Sequence, residues 1–474
     1  MKKKRTKWTG PLTVVAVLLA IWVNSRWDTW FHNPEELPYV PASVPHRVLF
    51  TFGDEKESSR NVSWQCDTVV RPSHLELMSL ADSSVTVHEA TGEVFCSRAG
   101  KAAYYVARLR DLAPSEHYAY RVVTGGKASQ WYDFRTSPLG RRTLARQELP
   151  SPSSRLSFLY VGDVQDTVGG QANRYLKDAL QRHPQTEFVV CGGDWVEHPT
   201  NQDWEVAYEG VDSVAQHLPL LCVTGNHDYL KGVIMKLERR FPLILSYFLD
   251  SKIEDNMVYT LRYGNAQFFL LDSNRELPFL FTQKQWLKEQ LQKSGARWKI
   301  VVLHHPLYSI KGNNNLLQRW VFSSLIEEYG VDLVLQGHEH AYARMTRHAD
   351  DGTPQTPVYT VSHCSPKNYR IRFDNSFDKF GISSRYYQTV DIAGDTLRLA
   401  AYEVYGHTLY DSLLIVKDRR GQAAHIVDLG RGIPEYMEFT PDPDSKKDLD
   451  YAKRIDEYVQ RHPERTTRKQ TNKE

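Results

Sequence analysis

The chain has 474 residues, with 59 Lys plus Arg against 57 Asp plus Glu. That length supports two or three domains around a sizeable core, and the near balance of charge excludes the basic excess of a nucleic-acid binder. Aromatic residues make up 12% of the chain, a content that suits packed β structure.

Residues 1–33 differ from everything after them. Lys2, Lys3, Lys4, Arg5 and Lys7 precede an uncharged, mostly apolar run from Pro11 to Val23, the order of a basic n-region and an apolar h-region. The run is shorter than the roughly 20 residues that cross a bilayer, and no small-x-small cleavage pattern follows it. It reads either as a cleaved signal peptide or as an uncleaved anchor. Both export the rest of the chain, to a periplasm or outside the cell, and the second also tethers it to a membrane. Residues 34–45 are polar and Pro-rich and read as a linker.

Residues 46–138 read as a fibronectin-like all-β sandwich. Short β-forming clusters (Val48–Phe52, Val62–Trp64, Tyr104–Leu109, Tyr118–Val122) lie between turn signals. Leu112-Ala113-Pro114 followed by Tyr118 has the pattern of a corner pinned by a tyrosine hydroxyl, and Trp64 suits the core. Cys66 and Cys96 both fall here, and export permits a disulfide between them. Cys191, Cys222 and Cys364 read as small buried hydrophobes.

Residues 150–420 carry a repeated signal. Five apolar runs end in carboxylate, amide or imidazole: Phe158–Val161 before Gly162-Asp163-Val164-Gln165, Phe188–Cys191 before Gly192-Gly193-Asp194, Leu218–Val223 before Thr224-Gly225-Asn226-His227-Asp228, Lys299–Leu303 before His304-His305-Pro306, and Val331–Leu335 before Gly337-His338-Glu339-His340. Any one alone passes for a turn, since Gly-Asn is an ordinary turn dipeptide. Together they place ligand chemistry at the carboxyl ends of several strands. Helix-like segments lie between the runs, at 173–183, 203–217, 282–293 (opened by a Thr282 cap) and 316–329, so the layer is α/β. Strand-like segments return after Met345. Residues 421–474 read as a solvated polar tail, helix-like over 446–460.

The ordered set of motifs resembles the calcineurin-like metallophosphoesterases. The sandwich ahead of it and Ala341-Tyr342-Ala343-Arg344 directly after the last motif resemble the purple acid phosphatase branch. Similarity covers about residues 45–418. The resemblance implies an all-β sandwich followed by a four-layer α/β/β/α catalytic domain. It implies a hydrolase of phosphate monoesters that uses water activated by two divalent metal ions, with Zn, Mn or Fe as candidates. The expected partner is a small phosphoester, not a nucleic acid.

Two metals about 3.5–4 Å apart need a shared carboxylate, and the resemblance gives that role to Asp194. It puts Asp163 and His340 on the first metal and Asn226, His304 and His338 on the second. His338 and His340, two apart, point the same way on an extended chain. His227 is matched to the residue that protonates the leaving oxygen, with Asp228 beside it in the catalytic motif. Asn226, His227, Tyr342 and Arg344 are the candidate substrate contacts, with packing as the alternative for the last two. Gln165 stands where many relatives carry a metal-binding His and reaches the metal either through its amide oxygen or through water; Asp166 lies beside the ligands. The alternative for Asp163 and Asp194 is helix capping.

Two departures bear on function. Glu197 stands three residues after Asp194, where purple phosphatases carry the tyrosine whose charge transfer to ferric iron gives their colour, so a colourless enzyme is expected. Gly312-Asn313-Asn314-Asn315 fills the loop that carries substrate histidines in that branch. The competing functions are a phosphodiesterase acting on nucleotides or lipid head groups, and an adhesion or scaffold protein with a degenerate site.

Overall fold

The computed structural model describes residues 24, 25, 27, 31–137, 155–165, 171–247, 253, 257–312, 314–418, 420 and 423–467. Pro11–Val23, Asp166 and Asn313 lie outside the described residues. Among those described, no helix is long and apolar enough to cross a membrane.

The N-terminal domain contains β1 (His46–Phe52), β2 (Arg60–Gln65), β3 (Ser73–Ser79), β4 (Val85–Ser97), β5 (Gly100–Leu109), β6 (His117–Thr124), β7 (Lys127–Ala128) and β8 (Tyr132–Arg135). Strands β1, β2, β5 and the second half of β4 form one layer. Strands β3, β6, β7, β8 and the first half of β4 form the other. Phe50, Trp64, Leu75, Tyr105, Tyr120 and Phe134 fill the core between them, and Trp64 Nε1 donates to Thr124 Oγ1 at 2.9 Å. The corner forms as the sequence suggests: Ala113 N donates to Tyr118 Oη at 3.2 Å.

The expected Cys66–Cys96 disulfide is absent, and both thiols are free. Cys66 follows β2, and Cys96 lies on β4, on the other side of β5. Two strand spacings of about 4.8 Å exceed the roughly 7 Å that a disulfide spans between Cα atoms.

Residues 34–45 do not form a free linker. The Glu36 side chain is only 2% exposed and pairs with Arg240 Nη2 at 2.5 Å and with Arg98 Nε at 3.1 Å. Tyr39 bonds His46 at 2.8 Å, and its ring lies 4.6 Å from the Arg47 guanidinium. A chain beginning at Pro34 keeps these contacts and is expected to stay folded. Glu36→Ala leaves the buried Arg240 with the Pro199 carbonyl and Glu238, whose carboxyl burial pushes up to about 7. We expect a loss of about 3 kcal/mol in urea unfolding; a loss below about 1 kcal/mol would show the pair to be neutral.

The catalytic domain is built on two sheets. The first runs β24–β23–β22–β21–β9–β10–β11, from Ala423–Asp428, Leu409–Lys417, Thr396–Glu403, Tyr386–Ala393, Arg155–Val161, Phe188–Cys191 and Leu220–Cys222. Its far edge continues into the N-terminal domain, because β11 pairs in parallel with β1 at Thr51↔Leu220. The second runs β14–β15–β16–β17–β19–β18–β20, from Tyr259–Tyr263, Ala266–Leu270, Trp298–Val302, Leu333–Gln336, Pro354–Val361, Tyr342–His348 and Lys379–Gly381. The sheets stack through contacts such as Phe158 on Phe268, 5.2 Å between ring centres. Helices α1 (Gln171–Arg182) and α2 (Asn201–Val211) pack into the core of the first sheet. Helices α4 (Leu277–Lys293) and α5 (Leu316–Glu328) pack on the second, and α3 (Arg240–Ile244) lies against β2 and β5. The result is the four-layer order that the resemblance implies.

Three sequence expectations shift. Helix α2 stops at Val211 rather than near His217, with Ser213 in the left-handed region at φ 56°. Thr282 sits inside α4 rather than capping it; Thr200 is the capping threonine, accepting from Asp203 N ahead of α2. The C-terminal segment is not a solvated tail. Helix α6 (Lys446–Arg461) buries Tyr451, Ile455 and Tyr458 in the core behind the second sheet, and Tyr458 Oη donates to Glu435 at 2.8 Å.

Candidate metal centre

The parallel strands β9, β10, β11, β16 and β17 deliver their carboxyl ends to one place. Asp163 and Asp194, just past β9 and β10, are both buried and both in the left-handed region, at φ 49° and 55°. His338, just past β17, has φ 70°. Non-glycine residues held there cost free energy and persist where the surroundings over-determine them, commonly at functional sites. Glycines make the approach possible: a Cβ at Gly225 would collide with the Asp194 carboxylate, and one at Gly337 with Asp163.

Ligand atoms of Asp163, Asp194 and His340 all lie within 4.8 Å of one another. His340 Nε2 is 3.3 Å from Asp163 Oδ1, and His304 Nε2 is 3.3 Å from Asp194 Oδ2. Asn226 Oδ1 sits between two imidazoles, 3.2 Å from His304 Nε2 and 2.8 Å from His338 Nδ1. Residues 337–340 are not extended, so His338 and His340 diverge, one toward Asn226 and the other toward Asp163. That corrects the expectation that they point the same way, and the left-handed backbone at His338 is the reason. The two groups of side chains meet at Asp194, whose Oδ1 accepts from His227 N at 2.9 Å and whose Oδ2 faces Gln165 Nε2 at 3.4 Å.

The imidazoles are held from behind. His304 Nδ1 donates to the Gly192 carbonyl at 2.8 Å and His340 Nδ1 to that of Lys367 at 3.1 Å, which leaves Nε2 of each turned to the carboxylates. The Gly337 amide of the last motif donates to His304 O, and Asp163 accepts from His338 N at 2.8 and 2.9 Å, so Asp163 braces this loop rather than a helix. His305 Nδ1 bonds Ser273 Oγ at 3.0 Å, and burial with the neighbouring His304 pushes its imidazole down to about 3.

Charge in the pocket follows burial and proximity. Burial opposes a proton on His304, but the Asp194 carboxylate outweighs it and lifts the imidazole to about 9. Burial likewise opposes charge on Asp194, yet His304 and His227 hold its carboxyl well below the usual range. Burial and the Asp194 charge push Asp228 up to about 7. Asp228 accepts from Gly225 N at 2.7 Å and Trp195 N at 3.2 Å, so it shapes the loop from beneath. His227 Nδ1 donates to the Glu197 carbonyl at 2.6 Å.

The donor set suits hard or borderline divalent cations: carboxylates, an amide and imidazoles, without thiolate. Gln165 adds a specific sign, because its Oε1 is buried with no hydrogen-bond partner, which is costly unless a cation takes it.

Tyr342 and Arg344 are not at the mouth. Both are buried on the face of β18 turned to the first sheet, where Tyr342 Oη and Arg344 Nε reach Asp411 at 2.8 and 2.7 Å. Packing is the reading that holds for them. Glu197 forms an ion pair with Lys367. Two groups near the mouth were not legible in the sequence. Tyr369 stacks on the His340 ring, 4.2 Å between centres, and Lys311 Nζ lies 4.1 Å over the Tyr369 ring. Lone residues in polar loops carry no periodicity that would reveal them.

Residues 156–342 match the family model described as calcineurin-like phosphoesterase, and residues 45–136 match that of the purple acid phosphatase N-terminal domain. The chain is 25% identical to purple acid phosphatase 4 of Arabidopsis thaliana over 56% of this chain and 85% of that protein. It is 22% identical to the Fe(3+)-Zn(2+) purple acid phosphatase 12 of the same plant over 66% of this chain and 67% of the relative. Its fold matches the structure of purple acid phosphatase PPD1 from yellow lupin (Lupinus luteus) with a TM-score of 0.66 at 17% identity, covering 80% of this chain and 75% of that one.

Proposed function

Because this chain joins a purple acid phosphatase N-terminal domain to a calcineurin-like phosphoesterase domain and is a hydrolase of phosphoester bonds, we propose that it is an exported phosphomonoesterase working with two divalent metal ions at one shared carboxylate. The observation that carries this reading is Asp194, set between the Asp163–His340 pair and the His304–Asn226–His338 group. Asp163, Asp194, His340 and the free Oε1 of Gln165 would hold one ion; Asp194, Asn226, His304 and His338 would hold the other. When bound, such a pair lowers the pKa of a water and offsets charge on the phosphate.

The chain's own groups do the rest. The Glu197 carbonyl fixes Nδ1 of His227 as the donor, so Nε2 is the nitrogen that exchanges a proton with the leaving oxygen. Burial opposes that proton, but Asp194 and the Glu197 carbonyl raise the imidazole above its ordinary value. Lys311, half-buried over Tyr369, adds positive charge at the mouth, which favours a monoester dianion over a diester monoanion. Purification without chelator should yield about two metals per chain and faster turnover of monoesters than of diesters. A metal-free chain, or a preference for diesters, overturns the reading.

His227→Ala should slow esters of poor leaving groups about a hundredfold while sparing activated aryl esters, which need little protonation. Equal losses on both would remove His227 from the acid role. The loaded enzyme should also be colourless, because Glu197 stands in the tyrosinate position and is engaged by Lys367. A visible band lost on reduction, or in Tyr369→Phe, would show that another tyrosine reaches iron.

A further inference from the structure

The segment that leaves the site forms a hairpin. Strand β12 (Tyr229–Leu230) pairs with β13 (Lys236–Leu237), and Glu238 N closes the base on Asp228 O at 3.2 Å. Its tip carries Val233 at 94% exposure and Ile234 at 63%, between Lys231 and Lys236, which are also exposed. Apolar side chains at the apex of a hairpin with lysines on its flanks match an element that enters a lipid headgroup region and leaves its cations at the phosphates.

An independent observation points the same way. Asn33 clasps the hairpin with two hydrogen bonds: its Nδ2 donates to Lys231 O at 2.9 Å, and its Oδ1 accepts from Lys231 N at 2.8 Å. Asn33 follows the apolar run ending at Val23 by ten residues. Of the residues between them, Asn24, Ser25, Trp27 and Phe31 are helical. Trp27 is more than half exposed and packs on Phe31 at 4.6 Å. The apolar, basic stretch of the sequence therefore joins the described fold through the same segment whose Asn33 holds the hairpin.

We infer that hairpin 229–237 is a membrane-contact element whose Val233–Ile234 tip enters an anionic lipid surface, with Lys231 and Lys236 at the lipid phosphates. The inference does not depend on the phosphatase reading, because its test measures position rather than turnover.

The test uses the full chain reconstituted into vesicles of phosphatidylcholine and phosphatidylserine. Cys96 is the one exposed thiol among the five, the others being buried. Val233→Cys in a Cys96→Ser background therefore takes a polarity-sensitive fluorophore at the tip. Val87→Cys in the same background places the same label on an exposed position of β4. The expected result is a blue-shifted emission quenched from the lipid phase at position 233 and an unshifted emission quenched only from water at position 87. A water-like spectrum at 233 overturns the inference. So does equal behaviour of the two labels, or a tip shielded from the aqueous quencher yet not reached by the lipid quencher, which would mean contact with a second copy. Turnover of a soluble ester checks that each labelled chain is folded.

Discussion

Asp194→Asn should lower hydrolysis at least about a thousandfold, the scale of losing one electrostatic element of a pre-formed site, while the protein stays folded. The substitution keeps the shape and the acceptor that receives His227 N. It removes the negative charge that both halves of the site share and puts an amide NH2 opposite both Gln165 Nε2 and His304 Nε2. Metal analysis should fall from about two per chain toward one or none. Circular dichroism and thermal unfolding separate this from misfolding. A folded variant with near wild-type turnover would show that Asp194 is not the shared ligand.

Arg344→Leu should act on stability instead. Arg344 lies on β18 of the second sheet, and its guanidinium reaches Asp411 at 2.7 and 3.3 Å, Asp428 at 2.8 Å and Asp378 at 3.2 Å. Asp411 and Asp428 belong to β23 and β24 of the first sheet, so one side chain clamps the two layers. Its removal leaves a fully buried carboxylate without its cation, which costs about 3–5 kcal/mol. Burial works against the charge on Asp411, but Arg344 outweighs it and holds the carboxyl below its ordinary range. The clamp is therefore in full force above the unfolded carboxylate value of about 4 and is lost as pH falls through the lower folded value. Urea unfolding at neutral pH and in acid checks both statements, and Asp411→Asn in the Arg344→Leu background should recover part of the loss. Unchanged stability with lost turnover would return Arg344 to the active site.

The contrast between these two residues shows what the sequence could reveal. Asp163, Asp194, Asn226, His304, His338 and His340 were legible because each motif places its chemistry one to five residues past an apolar run, and that arrangement is local. Tyr342 and Arg344 directly follow the last motif, yet alternation on a strand turns both toward Asp411, and Asp411 lies far along the chain. Strand β4 is mostly exposed, and its apolar alternation stops after Val85 and Val87, so no pattern marks it. Helix α6 did carry a signal in Tyr451, Ile455 and Tyr458, one helical face at four- and three-residue steps, but its polar composition obscured it. Glu36, Lys311 and Lys367 act through partners more than 50 residues away, and no local pattern announces such pairs.

The single parallel contact of Thr51 with Leu220 has a consequence for aggregation. Without β1, strand β11 would be the rim of the catalytic sheet, with unpaired amides and carbonyls open to another chain. The N-terminal domain thus acts as a selvedge that stops the weave. A catalytic domain expressed alone would carry a raw β11 edge, and self-association through that edge, before any loss of chemistry, is the failure its handling should reveal.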